Sequence, residues 1–128
     1  MTTNRKLLFW LGSSRRNLKD FPEEVKDIMG YALHFAQQDK KHPDAKPLKG
    51  FGGANVLEVV ENHDGDTFRA VYTVRFTCVI YVLHAFQKKS KKGIATPKSD
   101  IDLIKQRLKQ AEEHYLQWQQ FQGEYDEK

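Results

Sequence analysis

The sequence predicts an α+β fold: an antiparallel sheet with helices packed on one face and a C-terminal helix. Three observations carry that prediction. Residues 54–86 hold three strand-like segments in succession with short connections, the pattern of an antiparallel meander. Upstream, Val25, Ile28, Met29, Ala32 and Ala36 recur at helical spacing. Downstream, Ile101, Ile104, Leu108, Ala111, Tyr115 and Trp118 follow at intervals of 3, 4, 3, 4 and 3, an amphipathic helix. Strand, two helices, three antiparallel strands, basic loop and helix is an α+β order.

Each element has its own signal. The apolar run 6–11 (KLLFWL) reads as a buried strand, and 13–19 as a short helix. Asp20-Phe21-Pro22-Glu23-Glu24 starts the next helix, with proline in the first turn and two glutamates at its positive end. That helix should run to about Gln38. His42-Pro43-Asp44 breaks the chain, and 46–53 is a loop rich in turn formers. Strands are expected at 54–61, 66–76 and 78–86, joined by Asn62-His63-Asp64-Gly65 and by a tight turn near Phe76-Thr77. Thr96 caps the last helix and Pro97 takes its first position. At about five turns, that helix is expected to pack on the sheet or on a partner.

At 128 residues the chain is expected to form one domain, spanning 1–128. With 39% apolar and 30% charged residues it has the composition of a compact soluble protein. No apolar run approaches a membrane span, and the first residues lack a secretory signal, so a cytoplasmic location is expected. Cys78 is the sole cysteine, which excludes an internal disulfide framework and a cysteine zinc site. No His/carboxylate spacing suggests a metal, and no cofactor is expected. The net charge of +4 is uneven: Lys88, Lys89, Lys91, Lys92 and Lys98 crowd a stretch without acids, whereas the last eighteen residues are acidic. A concentrated basic loop points to a polyanion, RNA or DNA.

Alternation along the strands assigns faces. A turn centred between Phe76 and Thr77 places Arg69 opposite His84, and a turn at His63-Asp64 places Glu58 opposite Arg69. Leu57, Val59, Phe68, Ala70, Tyr72, Val74, Val79, Tyr81, Leu83 and Ala85 then share an apolar face expected under the helices. Glu58, Arg69, Arg75 and His84 share the other, open face with Val71, Ile80, Val82 and Phe86. The row Glu58–Arg69–His84 is a candidate site; its bland alternative is a cross-strand ion pair beside a neutral histidine.

Several motifs carry a family resemblance: Lys46-Pro47-Leu48-Lys49-Gly50, Leu57-Glu58, Phe68-Arg69-Ala70-Val71-Tyr72, Val82-Leu83-His84-Ala85-Phe86-Gln87-Lys88-Lys89-Ser90 and Thr96-Pro97. Over residues 5–116 the chain resembles the phage-derived Gp49-like, or HigB-like, toxins of the RelE/ParE superfamily. The resemblance implies a small RelE-like fold and the toxin of a type II toxin-antitoxin system. Its activity would be endoribonuclease cleavage of messenger RNA, usually on the ribosome, without a metal. The implied partner is a helix-turn-helix antitoxin from the same operon. By the same resemblance Lys88 matches the basic residue after the last core strand, Arg69 the shared strand arginine and Lys49 the basic loop before the meander. Val60 stands where many relatives carry an arginine, and no tyrosine follows the lysine loop.

Metal-free RNA cleavage needs a base for the 2′-hydroxyl, cations for the phosphate and an acid for the leaving oxygen. His84 can serve as base or acid. Arg69 and Lys88 would stabilise the phosphate. Lys89, Lys91 and Lys92 would hold flanking phosphates, and Phe86 would stack a base. His63, on a solvated turn, is a rival acid–base group. Other readings are a ParE-like gyrase inhibitor, an RNA-binding module without chemistry, and a silent phage-derived interaction protein.

Overall fold

The computed structural model describes residues 5–52, 55–88 and 96–126. It contains β1 (Leu7–Trp10), α1 (Ser14–Lys19), α2 (Glu23–Gln37), β2 (Ala45–Pro47), β3 (Val56–His63), β4 (Asp66–Thr73), β5 (Val79–Lys88) and α3 (Lys98–Asp126). The strands form one open sheet in the order β1-β5-β4-β3-β2, antiparallel except for the β1–β5 pair. The α+β prediction holds. Two short edge strands behave differently from expectation. β1 is a half-exposed edge, with Leu7 49% exposed, because only one of its sides meets a neighbour. β2, expected as loop, pairs Lys46 with Glu58 and closes the other edge.

Helices lie on both faces, not one. Leu18, Val25, Met29, Ala32 and Leu33 of α1 and α2 pack with Val59, Phe68, Ala70, Tyr72, Ile80 and Val82. Ile104, Ala111 and Tyr115 of α3 pack with Val71, Val79, Tyr81 and Leu83 on the opposite side. The face expected to be open therefore lies beneath α3. A strand covered on both sides needs apolar residues at every position. β5 supplies them from Val79 to Leu83, none more than 1% exposed. Each such side chain contributes about 1.5–3 kcal/mol of burial free energy.

The helix starts also differ in detail. Pro97 and Pro22 each sit one residue before the helix, their carbonyls accepting from Ile101 and Lys26 at 3.0 and 2.8 Å. Proline suits that place because its fixed φ leads into the helix and no donor is lost there. The Thr96 hydroxyl is thereby released from capping.

Register explains the rest of the correction. In the first hairpin Glu58 pairs with Val71 and Val60 with Arg69, a slip of two from the expected pairing. A slip of two preserves faces. In the second hairpin Arg69 pairs with Phe86 and Val71 with His84, but Tyr72 pairs with Val82. Leu83 is the extra residue of a β-bulge. One inserted residue reverses the parity of the strand before it. Val79, Tyr81 and Leu83 therefore face α3 together with His84, while Ile80 and Val82 turn toward α1 and α2.

Neighbours satisfy the carbonyls around the bulge. Val82 O accepts from Leu11 N at 3.0 Å and Ser14 Oγ at 3.3 Å. Leu83 O accepts from Arg107 Nη1 at 2.9 Å, and Ala85 O from Asn17 Nδ2 at 3.1 Å. Gly12 lets Arg107 come close: its φ is +54°, and a Cβ there would lie 2.5 Å from Arg107 Nη2. Gly12→Ala should lower the unfolding free energy by at least about 1–2 kcal/mol, the left-handed backbone cost alone. Urea denaturation checks this; an unchanged midpoint would show that the Gly12–Arg107 approach is dispensable.

Candidate functional site

The α3 side of the sheet carries two cross-strand rows near one end: Glu58–Val71–His84 and Val60–Arg69–Phe86. The expected straight row of Glu58, Arg69 and His84 is thus a diagonal. Glu58 and Arg69 still meet. Arg69 Nη1 donates to Glu58 Oε1 at 3.2 Å and to Thr96 Oγ1 at 3.1 Å. Both ends of this ion pair are buried, with side chains 7% and 11% exposed. Removing one partner of such a pair costs about 3–5 kcal/mol, because the other charge is left in a poor solvent.

His84 is 6% exposed and lies below the first turns of α3. Its Nε2 is 2.9 Å from Asp100 Oδ1, and its Nδ1 is 3.5 Å from Arg107 Nη1. Arginine can only donate, so Nδ1 is the accepting nitrogen and Nε2 carries the hydrogen given to Asp100. Burial pushes the His84 pKa down; Asp100 pulls it back up in part, and Arg107 lowers it further. The imidazole stacks on Phe86, with ring centroids 4.5 Å apart and planes 21° apart. Phe86 is half-buried and reaches the surface at the strand end.

The structure therefore brings Arg69, His84 and Phe86 together, and Lys88 follows two residues later on β5, opposite Thr67. Lys49 is exposed in the segment after β2. Lys89, Lys91 and Lys92 lie outside the described residues. Arg75, expected on the same face, meets Glu112 of α3. His63 ends β3, where Nε2 lies 3.3 Å from Asp64 Oδ2. Tyr72 of the RxVY stretch faces the α1/α2 core, and burial pushes its pKa up to about 12.

Sequence reasoning missed Thr96, Asp100 and Arg107. Asp100, Ile104, Arg107 and Ala111 stand at i, i+4, i+7 and i+11, the spacing of one helix stripe. Two charges in the apolar stripe of a sheet-packed helix were the available signal for polar partners below. Among the described residues, no three His, Cys, Asp or Glu side chains gather as a metal-holding group. No helix among them is long and apolar enough to cross a membrane.

With that geometry in place, one comparison with known proteins is decisive. A family model described as phage-derived protein Gp49-like matches residues 16–109, most of the chain. The chain belongs to the Gp49-like family. This is a phage-derived, toxin-like family of the RelE/HigB type. The match runs from α1 to the middle of α3, so it includes Arg69, His84, Asp100 and Arg107. No curated protein and no solved structure matches the chain.

The depressed His84 pKa gives a pH signature. The unfolded chain takes up a proton near the ordinary value of 6.5, before the folded protein does. Unfolding free energy therefore rises with pH up to about 6.5 from this group and then levels off. Acidification below 6.5 should destabilise wild type more than His84→Gln, whose amide still has a donor for Asp100. Thermal melts of both proteins between pH 5 and 8 test this, at values that bracket the ordinary histidine pKa. Parallel curves would mean that His84 is no less basic folded than unfolded.

Proposed function

We propose that this Gp49-like protein is the toxin of a type II toxin-antitoxin pair and a metal-independent endoribonuclease that cleaves messenger RNA on the ribosome. A helix-turn-helix antitoxin from the same operon would hold it in check. One observation carries the reading: Arg69, His84 and Phe86 converge at the end of β5 that delivers the chain through Lys88 into the lysine loop. A phosphate-binding fork, a proton-transfer group and a stacking ring at one strand end are what single-stranded RNA cleavage uses.

In this reading Arg69 and Lys88 neutralise the phosphate, Phe86 stacks a base, and Lys49, Lys89, Lys91 and Lys92 hold flanking phosphates. Burial lowers the His84 pKa and so favours the neutral imidazole, the state required to accept the 2′-hydroxyl proton. Glu58 and Asp100 now occupy Arg69 and His84. For RNA to engage, Thr96 just before α3 and Asp100 in its first turn must withdraw, and Arg107 must release Nδ1, the nitrogen that would take the proton.

A second reading rests on the same bonds. Both ring nitrogens of His84 have protein partners, the arrangement of a structural latch. Arg69 and the lysines would then bind RNA without proton transfer.

Inducing the chain alone should arrest growth and translation, and the neighbouring antitoxin should restore both. In single-turnover cleavage of a ribosome-bound message, His84→Gln should be roughly 100- to 10,000-fold slower, the usual range for a general acid or base. EDTA should leave the rate unchanged when ribosome integrity is controlled. Near-wild-type cleavage by the variant would favour the latch. Replacing Lys88, Lys89, Lys91 and Lys92 by alanine should flatten the salt dependence of RNA affinity by about 0.7 per lost contact, since each phosphate contact releases counterions.

A further inference from the structure

The α1 side of β5 carries polar chemistry that the proposed mechanism leaves unused. A cleft of about 270 Å³ lies there, lined by Asn17, Asp20, Phe21, Ala85, Phe86 and Gln87. It is slightly smaller than the roughly 300 Å³ at which drug-sized pockets begin, so it suits a small planar group. Phe86 belongs to its wall and also stacks on His84, which places the cleft next to the candidate site, around the end of β5.

The side-chain polar atoms it has to spare are all acceptors. Asn17 Nδ2 is committed to Ser13 Oγ and Ala85 O, both at 3.1 Å. A carbonyl cannot donate, so nitrogen must face Ala85 and Oδ1 remains available. Gln87 Nε2 is likewise committed to the Asp66 carboxylate at 2.8 Å, which leaves its Oε1. Asp20 is exposed and makes no ion pair among the described residues. Side chains that can only accept select a ring edge with adjacent donors, and a carboxylate takes two parallel N–H groups best.

Arg15, Arg16 and Lys19 stand exposed on the same short helix, outside any ion pair among the described residues. Arg16 and Asp20 are four residues apart, one helical turn, on the same side of α1. These cations would offset repulsion between Asp20 and a polyanion. They also suit the phosphates that flank a single inserted base.

We propose that this cleft binds a guanine base of single-stranded RNA. The inference rests on the RNA-cutting reading and adds a base preference to it. Guanine presents N1–H and the N2 amino group side by side, a pair that fits the Asp20 carboxylate. Adenine and cytosine offer one amino group on that edge, and uracil one ring N–H. Phe21 and Phe86 supply the apolar walls, as aromatic side chains do for splayed bases.

The test uses fluorescence anisotropy with the full chain and short 2′-O-methyl oligoadenylates, in which the cleavage nucleophile is blocked. One oligomer carries a single guanosine, one an inosine at that place, and one adenosine throughout. The guanosine oligomer should bind about 5- to 100-fold more tightly than the other two, as expected for one bidentate base contact. Asp20→Ala should equalise the three, because its side chain makes no contact that folding needs. Arg16→Ala should weaken all three alike. Equal binding by wild type, or a guanosine preference that survives Asp20→Ala, overturns the proposal. A guanosine preference without ribosome-bound message cleavage would remove the nuclease reading and keep the site. Cleavage with no base preference would do the reverse.

Discussion

An antiparallel ladder with one residue too many leaves carbonyl groups pointing where no strand can meet them. In a buried strand, each unmet carbonyl costs about 1–3 kcal/mol. β5 has such an insertion at Leu83, in the middle of the sheet and covered on both faces. Arg107 answers it at Leu83, while on the other side of β5 Leu11 continues the β1 ladder at Val82, and Ser14 and Asn17 bond Val82 and Ala85. Those bonds tie α1 to one side of β5 and α3 to the other. The same insertion aims His84 at α3 instead of letting parity carry it to the opposite core. Fold and candidate site therefore depend on one irregularity.

Arg107 shows how closely the two are joined. Its guanidinium serves the bulge carbonyl and approaches the His84 ring. Burial lowers the Arg107 pKa from its ordinary value, and its charge in turn disfavours protonation of His84. A helix that only covered apolar surface would need no arginine at this depth. α3 packs like a core element through Ile104, Ala111 and Tyr115, yet its first turns reach the sheet through Asp100 and Arg107. Polar bonds of this kind can exchange for a charged ligand more readily than an apolar seam can open.

Much of this was legible in the sequence because strand faces depend on parity alone. Glu58 and Arg69 were placed together although the hairpin slipped by two, since an even slip changes no face. The α3 stripe predicted its buried residues because helical period is insensitive to where the helix begins. What stayed hidden has a common cause. Nothing local in Val82-Leu83-His84 marks a bulge, as the segment reads as uninterrupted strand. The expectation that Val79, Tyr81 and Leu83 share a face with Val59, Phe68, Ala70 and Tyr72 failed there. The same blindness left His84 on an open surface, when it lies 6% exposed under α3. Which face receives a helix is decided by tertiary packing. The proline helix starts were read one residue early, so Thr96 was assigned to a cap while its hydroxyl serves Arg69.

The parallel pairing of β1 with β5 has a consequence for the order in which the molecule can be made. Leu7 finds its ladder partner Val79 seventy-two residues later, and β5 is the last strand to leave the ribosome. Until then α1 and α2 have no complete sheet to cover, and Val25, Met29 and Leu33 stay without their apolar partners on Ile80 and Val82. Chain closure over such distances is slow compared with helix formation. The nascent chain thus passes through a stage with formed helices, exposed apolar surface and an unpaired first strand, the kind of species that chaperones hold. His84 meets Asp100 and Arg107 only once the first turns of α3 have been made. No early fragment of the chain can carry the assembled site.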